Sequence, residues 1–168
     1  LIAYNVNLDT NDKTLANIIA GKIRTSGILK KDEEGNKILD NNGKPLREPG
    51  KFKFLQAAGW MFDEDTAQVS MNLLNYDITG FHHVMESIKV EANKLGLKVI
   101  SSELVGLCPL DAFLEAGKYY SPSNNNFTEK ELVDIAIKGL KLDIIDKFIP
   151  ENNIIEWTIS KNRRLENE

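Results

Sequence analysis

The amino-acid sequence predicts an α+β fold, and three observations carry that reading. Two stretches, "LIAYNVNLD" and "TAQVSMNLLNYD", alternate apolar and polar residues with period two, the mark of a half-buried strand. Two others, "TNDKTLANIIAGKIRTSG" and "TGFHHVMESIKVEANKLG", repeat apolar residues at helical spacing and end on glycine. Strand and helix signals follow one another as β-α-β-β-α-β, the order of the split βαβ or ferredoxin-like sandwich. To that core the sequence adds C-terminal helices and a closing strand, all within a single domain over 1–168.

The first strand sets Ile2, Tyr4, Val6 and Leu8 on one face and Ala3, Asn5 and Asn7 on the other. The helix after it has Asp9, Thr10 or Asn11 as its cap, Leu15, Ile18, Ile19 and Ile23 as its stripe, and Gly27 as its stop. Residues 28–51 are charged and hold "NNGKP" and "EPGK"; they read as a surface insertion with a small hairpin around Asn42 and Gly43. "FKFLQAAGWMFDED" is the second strand, with Gly59 a bulge or a point of close approach.

The third strand puts Ala67, Val69, Met71 and Leu73 on one face and Gln68, Ser70 and Asn72 on the other. Thr79 then caps a helix with the stripe Phe81, Val84, Met85, Ile88 and Ala92, which Gly96 stops. "LKVISSELVG" is the fourth strand. Beyond it lie a short helix begun near Pro109, the loop "SPSNNN", and a helix opened by the capping box Thr128 to Glu131. "NIIEWTI" is expected as the closing strand and "SKNRRLENE" as a polar tail. No internal repeat and no low-complexity tract is visible in the sequence.

Composition narrows the function classes. The net charge is −4 and the pI is near 5.3, which argues against a nucleic-acid partner bound through a broad basic surface. RNA binding on a sheet also wants central aromatics, where this sequence places amides. No apolar run approaches the roughly 20 residues of a membrane-spanning helix, so no membrane partner is expected. Cys108 is the sole cysteine and has no internal disulfide partner, so a reducing, cytoplasmic setting is expected. The chain opens on Leu1 directly in a strand, and the expectation is a piece of a longer polypeptide.

In a ferredoxin-like sheet the first and third strands are central neighbours with both helices on one side. Asn5, Asn7, Gln68, Ser70 and Asn72 would then form one plate on the other side. Amides and hydroxyls offer donors and acceptors without charge, and each one covered but unpaired costs about 1–3 kcal/mol. A ligand would supply the partners; a wet open sheet face is the bland alternative, and the residues alone leave the two about even.

The blocks "LIAYNVNLDT", "KIRTSG", "AAGWMFDEDTAQVSMNLLNYDIT", "SSELVGLCPLDAFLEAGKYY" and "NIIEWTI" resemble, in order and spacing, the C-terminal half of glutamate formimidoyltransferase, also called formiminotransferase. The similarity runs from Leu1 to about Ile159. It implies transfer of the formimidoyl group between N-formimidoyl-L-glutamate and tetrahydrofolate in histidine degradation. It implies tetrahydrofolate as co-substrate, two ferredoxin-like subdomains around a folate-holding tunnel, and a homodimer. The family's catalytic histidine lies in the N-terminal subdomain, so the resemblance implies no catalytic residue in this chain and makes that subdomain its partner. Segment 28–51 is longer than in animal members. A stand-alone ferredoxin-like binding or regulatory module without catalysis is the alternative.

Individual residues complete the expectations. Arg24 in "KIRTSG" either offers charge at a helix C-terminus or grips a glutamate carboxylate through its fork. Glu103, polar within an apolar strand, either faces the same tunnel or lies on the surface. Trp60 either stacks on a pterin or belongs to the core, the commoner case. His82 and His83 open a helix, so one at most faces the core, and neither is taken as catalytic. Cys108 is expected to be a buried small hydrophobe. No ligand spacing suggests a metal.

Overall fold

The structure, a computed structural model, describes residues 1–122 and 126–165. The elements run β1 (Ile2–Leu8), α1 (Lys13–Ile23), β2 (Ile28–Leu29), β3 (Arg47–Glu48), β4 (Leu55–Met61), β5 (Ala67–Leu73), α2 (Phe81–Lys94), β6 (Val99–Val105), α3 (Leu110–Tyr120), α4 (Glu129–Leu140), α5 (Pro150–Asn153) and α6 (Ile155–Leu165). The main sheet has the order β4-β5-β1-β6, antiparallel at every pairing. That is the ferredoxin-like sandwich, with β1 and β5 at its centre.

Register follows from the alternation. Pairs such as Tyr4 with Met71 and Val6 with Val69 put every apolar residue of β1 and β5 except Ala3 on the face toward the helices. α1 packs against β4 and β5, and α2 reaches β1 and β6, while α3 and α4 pack on each other and on α2. The interior so formed is closed to solvent: Tyr4, Val6, Leu8, Ile19, Val69 and Met85 have no exposed surface. Tyr4 meets Phe81 edge-on at 4.9 Å between ring centroids, and Phe81 meets Phe113 at 5.7 Å.

Five expectations need correction. Residues 153–159 do not close the sheet; they turn from α5 into α6, with Pro150 at the first position of α5. A short apolar run carries both periods, and tertiary partners decided between them. Ile154 is buried, Thr158 N donates to Ile154 O at 2.8 Å, and Glu156 Oε2 accepts from Leu110 N at 2.8 Å, so α6 caps α3. A single bridge from Cys108 to Ile154 is all that is strand-like there.

The cap of α1 is Asp12, whose side chain accepts from Thr14 N at 2.8 Å; Asp9 instead accepts from Lys98 N across the fold. α1 presents Ala16, Ile19, Ala20 and Ile23 inward and leaves Ile18 39% exposed, because small residues let it lie closer to the sheet. The cap of α2 is Gly80, since the Thr79 hydroxyl is buried and donates to Lys53 O at 2.6 Å.

Gly59 marks a close approach with no bulge: a Cβ there would collide with the Asn17 backbone. The fifth correction is a repeat that the sequence reading passed over. In segment 28–51, Asp32 Oδ1 accepts from Glu34 N and Asn36 N, and Asp40 Oδ1 accepts from Asn42 N and Lys44 N. Gly35 and Gly43 follow in the left-handed region at φ 86° and 76°. Ile38 N donates to Lys30 O, Leu46 N to Ile38 O and Lys30 N to Leu46 O, which closes a ring of three strand segments. The arm is largely exposed and stands off the main sheet. The loop "SPSNNN" lies partly outside the described residues, as does the end of the polar tail.

Candidate functional site

Antiparallel register places the polar residues of four strands in rows on the face away from the helices. One row is Trp60, Gln68, Asn7 and Ser101; the next is Ala58, Ser70, Asn5 and Glu103; the third begins Gln56, Asn72, Ala3. Asn5, Asn7, Gln68, Ser70, Asn72 and Glu103 are therefore brought together. Ser101 and Gln56 extend the plate. The sequence reading omitted them, although parity with Glu103 and with the second strand's alternation would have found both.

The plate is wired by its own hydrogen bonds. Gln68 Nε2 donates to Asn7 Oδ1 at 2.8 Å and to Glu103 Oε2 at 2.8 Å. Asn7 Nδ2 donates to Ser101 Oγ at 3.1 Å. Asn72 Nδ2 reaches Gln56 Oε1 at a long 3.4 Å. Asn7, Gln68 and Ser101 are 1%, 4% and 3% exposed, so these bonds hold polar groups that water barely reaches. Asn5, Ser70, Asn72 and Glu103 are half-buried at the rim of the network. A groove of about 320 Å³ opens beside it, lined by Gln56, Ala58, Trp60, Ser70 and Asn72.

Trp60 is 63% exposed at the end of β4, which corrects the core placement and leaves its ring beside the plate. Arg24 lies elsewhere. Its Nε donates to Gly27 O at 3.0 Å and its Nη1 to Ala57 O at 3.2 Å, on the outer edge of β4. With Thr25, Lys53, Phe54 and Gln56 it lines a second depression of about 730 Å³. Gln56 and Ala57 line both hollows, so the plate and the Arg24 depression meet along β4.

His82 and His83 are far from this chemistry in kind. His82 is 7% exposed and stacks on Tyr119 at 4.6 Å, while His83 is exposed. Burial, with His83 adding repulsion, lowers the His82 pKa from 6.5 to about 4. Cys108 is fully buried, and that burial pushes its thiol up to about 12. Both are packing residues. Among the described residues no group of three or more His, Cys, Asp or Glu side chains is placed to hold a metal ion, and no helix is long and apolar enough to cross a membrane.

Helices on one face and a directed polar network on the other define a ferredoxin-like α+β domain with a polar sheet face. Within that class the chain belongs to the formiminotransferase domain family, whose model matches residues 3–160. It is 40% identical over 168 residues to a formimidoyltransferase-cyclodeaminase of Dictyostelium discoideum, an alignment covering 98% of this chain and 28% of that protein. It is 36% identical over 165 residues to the formimidoyltransferase-cyclodeaminase of Sus scrofa, covering 95% and 27%. With the glutamate formimidoyltransferase of Streptococcus pyogenes serotype M1 it shares 33% identity over 140 residues, covering 83% of this chain and 40% of that one. The chain thus spans well under half the length of each of these relatives.

Proposed function

We propose that this chain is the folate-binding half of a glutamate formimidoyltransferase, which moves the formimidoyl group between N-formimidoyl-L-glutamate and tetrahydrofolate in histidine degradation. The observation that carries the reading is the plate, a rigid set of amides and hydroxyls anchored by the Glu103 carboxylate, beside a groove that admits a flat heterocycle. A pterin ring with alternating N–H and C=O groups fits such a wall, and the exposed face of Trp60 offers it a stacking partner. Membership of the formiminotransferase family and the names of the relatives point the same way.

On this reading the chain binds and orients. Asn5, Ser70 and Asn72 hold the ring, and Arg24 with Lys53 at the β4 edge gives positive charge for a glutamate carboxylate, Arg24 Nη2 making no hydrogen bond among the described residues. Placing two substrates in contact supplies proximity, and general acid–base catalysis at the amidine carbon comes from a histidine of the N-terminal subdomain. The same proposal includes a homodimer, a cytoplasmic location, and a 1–168 domain whose 28–51 arm is an insertion.

The test compares this chain alone with the complete polypeptide that contains it. The chain alone should bind tetrahydrofolate weakly and transfer nothing, since one wall is absent. The complete polypeptide should bind and turn over. A complete polypeptide that binds tetrahydrofolate yet transfers no formimidoyl group would favour the regulatory-module alternative.

A further inference from the structure

The network on the plate has a direction, and the direction fixes what it can recognise. A carboxylate has acceptors only, so the Gln68 atom 2.8 Å from Glu103 Oε2 is the amide nitrogen. Both of that nitrogen's protons are then committed, one to Glu103 and one to Asn7 Oδ1. Asn7 is oriented in turn, with its own nitrogen toward Ser101 Oγ. The chain of donation runs Ser101 ← Asn7 ← Gln68 → Glu103; a flipped Gln68 would set acceptor against acceptor, and a flipped Asn7 donor against donor.

What remains unused is one-sided. Among the described residues Gln68 Oε1 has no partner and is not a sealed, unsatisfied atom as His82 Nδ1 is, so it reaches solvent. Glu103 accepts from Gln68 through Oε2, and its Oε1 has no hydrogen-bond partner among the described residues. The centre of the plate therefore offers an outward amide carbonyl and an outward carboxylate oxygen, on strands either side of β1. Two acceptors held apart in a fixed frame match a planar edge with two N–H donors on sp² nitrogens. They repel a carboxylate.

We infer that Glu103 and Gln68 form a donor-reading subsite that takes the N–H edge of a substrate, an aminopyrimidinone or an amidinium, and directs substrate carboxylates away from the plate centre. The inference rests on the functional reading above and assigns a chemical edge within it. Glu103 is the specificity determinant, because its single carboxylate both sets the Gln68 amide and accepts from the ligand.

Titration calorimetry on the complete polypeptide tests it, in wild type and Glu103→Gln. Each binds tetrahydrofolate and its 2-desamino-2-methyl analogue, then N-formimidoyl-glutamate and N-formylglutamate. Wild type should bind the analogue that lacks the read donors about 10- to 100-fold more weakly, the scale of one hydrogen bond to a charged group. Glu103→Gln should weaken the parent ligand by a similar factor and leave that analogue within about twofold, a non-additive cycle. Non-additivity with the folate pair assigns the edge to the pterin, and with the glutamate pair to the amidine; either outcome supports the subsite.

Equal losses on parent and analogue, or none, overturn it. The wild-type ligand comparison needs no variant, so a misfolded Glu103→Gln still leaves a decisive arm: equal wild-type affinity within both pairs is fatal. If wild type binds neither substrate, the functional reading falls and this inference with it; binding with additive losses removes the inference alone.

Discussion

His82 carries a cost that the fold keeps at neutral pH. Its ring stacks on Tyr119 and meets His83 at a tilt, and its Nδ1 is buried without a hydrogen-bond partner among the described residues. The folded-state pKa of about 4 lies below the ordinary 6.5, so between those values the unfolded chain binds a proton that the folded chain refuses. Stability from this group is complete above about pH 6.5 and is lost as pH falls toward 4. The scale is on the order of 3 kcal/mol over that window. Denaturant midpoints at stepped pH should therefore fall between pH 6.5 and 4 in wild type, and His82→Phe should flatten that slope. An unaltered slope would place the acid sensitivity elsewhere. At this scale the sequence was partly legible. Parity alone put Asn5, Asn7, Gln68, Ser70 and Asn72 on one face, and it kept at most one histidine inward. The donation order through Asn7 and Gln68 was not legible, because it depends on a Glu103 rotamer that only neighbouring strands fix.

Elements show where local signals suffice and where they fail. The capping box at α4 is complete, with Glu131 N donating to Thr128 Oγ1 and Thr128 N donating to Glu131 Oε2, just as "TEKE" suggests. Thr128→Ala should lose about 1 kcal/mol, or about 2–4 °C in the thermal midpoint. A change under half a degree would mean that packing alone sets this helix start. The end of α1 was harder to read, since its role is to protect an edge. Thr25 N donates to Leu55 O, Leu55 N to Thr25 Oγ1, Gly59 N to Asn17 Oδ1, and Arg24 to Ala57 O, so the open side of β4 is occupied by side chains and backbone from α1 and its C-terminal turn. Arg24→Ala should lower the midpoint by a few degrees through the exposed edge. If the glutamate carboxylate also binds there, the KM for N-formimidoyl-glutamate should rise in the same variant while kcat moves less. The "NIIEWTI" segment failed as a strand because its helical partners, Leu110 and Glu129, are distant in sequence.

Across the whole molecule, alternation in β1 and β5 specified the sheet, its order and its buried face, since a one-residue slip would bury every amide. The arm at 28–51 was seen only as polar and exposed; its ring of Lys30, Ile38 and Leu46 is made by backbone, to which side-chain patterns are blind. The central claim is that the plate serves a ligand and does little for folding. Asn72 tests it most directly: it is half-buried, points away from the helices, and makes one long bond to Gln56. Steady-state transfer kinetics and the thermal midpoint should be measured together for Asn72→Ala in the complete polypeptide. The account predicts a fall in kcat/KM for tetrahydrofolate of about 5- to 150-fold, equivalent to about 1–3 kcal/mol, with the midpoint unchanged within about a degree. Unchanged kinetics with a midpoint several degrees lower would show that the amides serve sheet packing, and would contradict it.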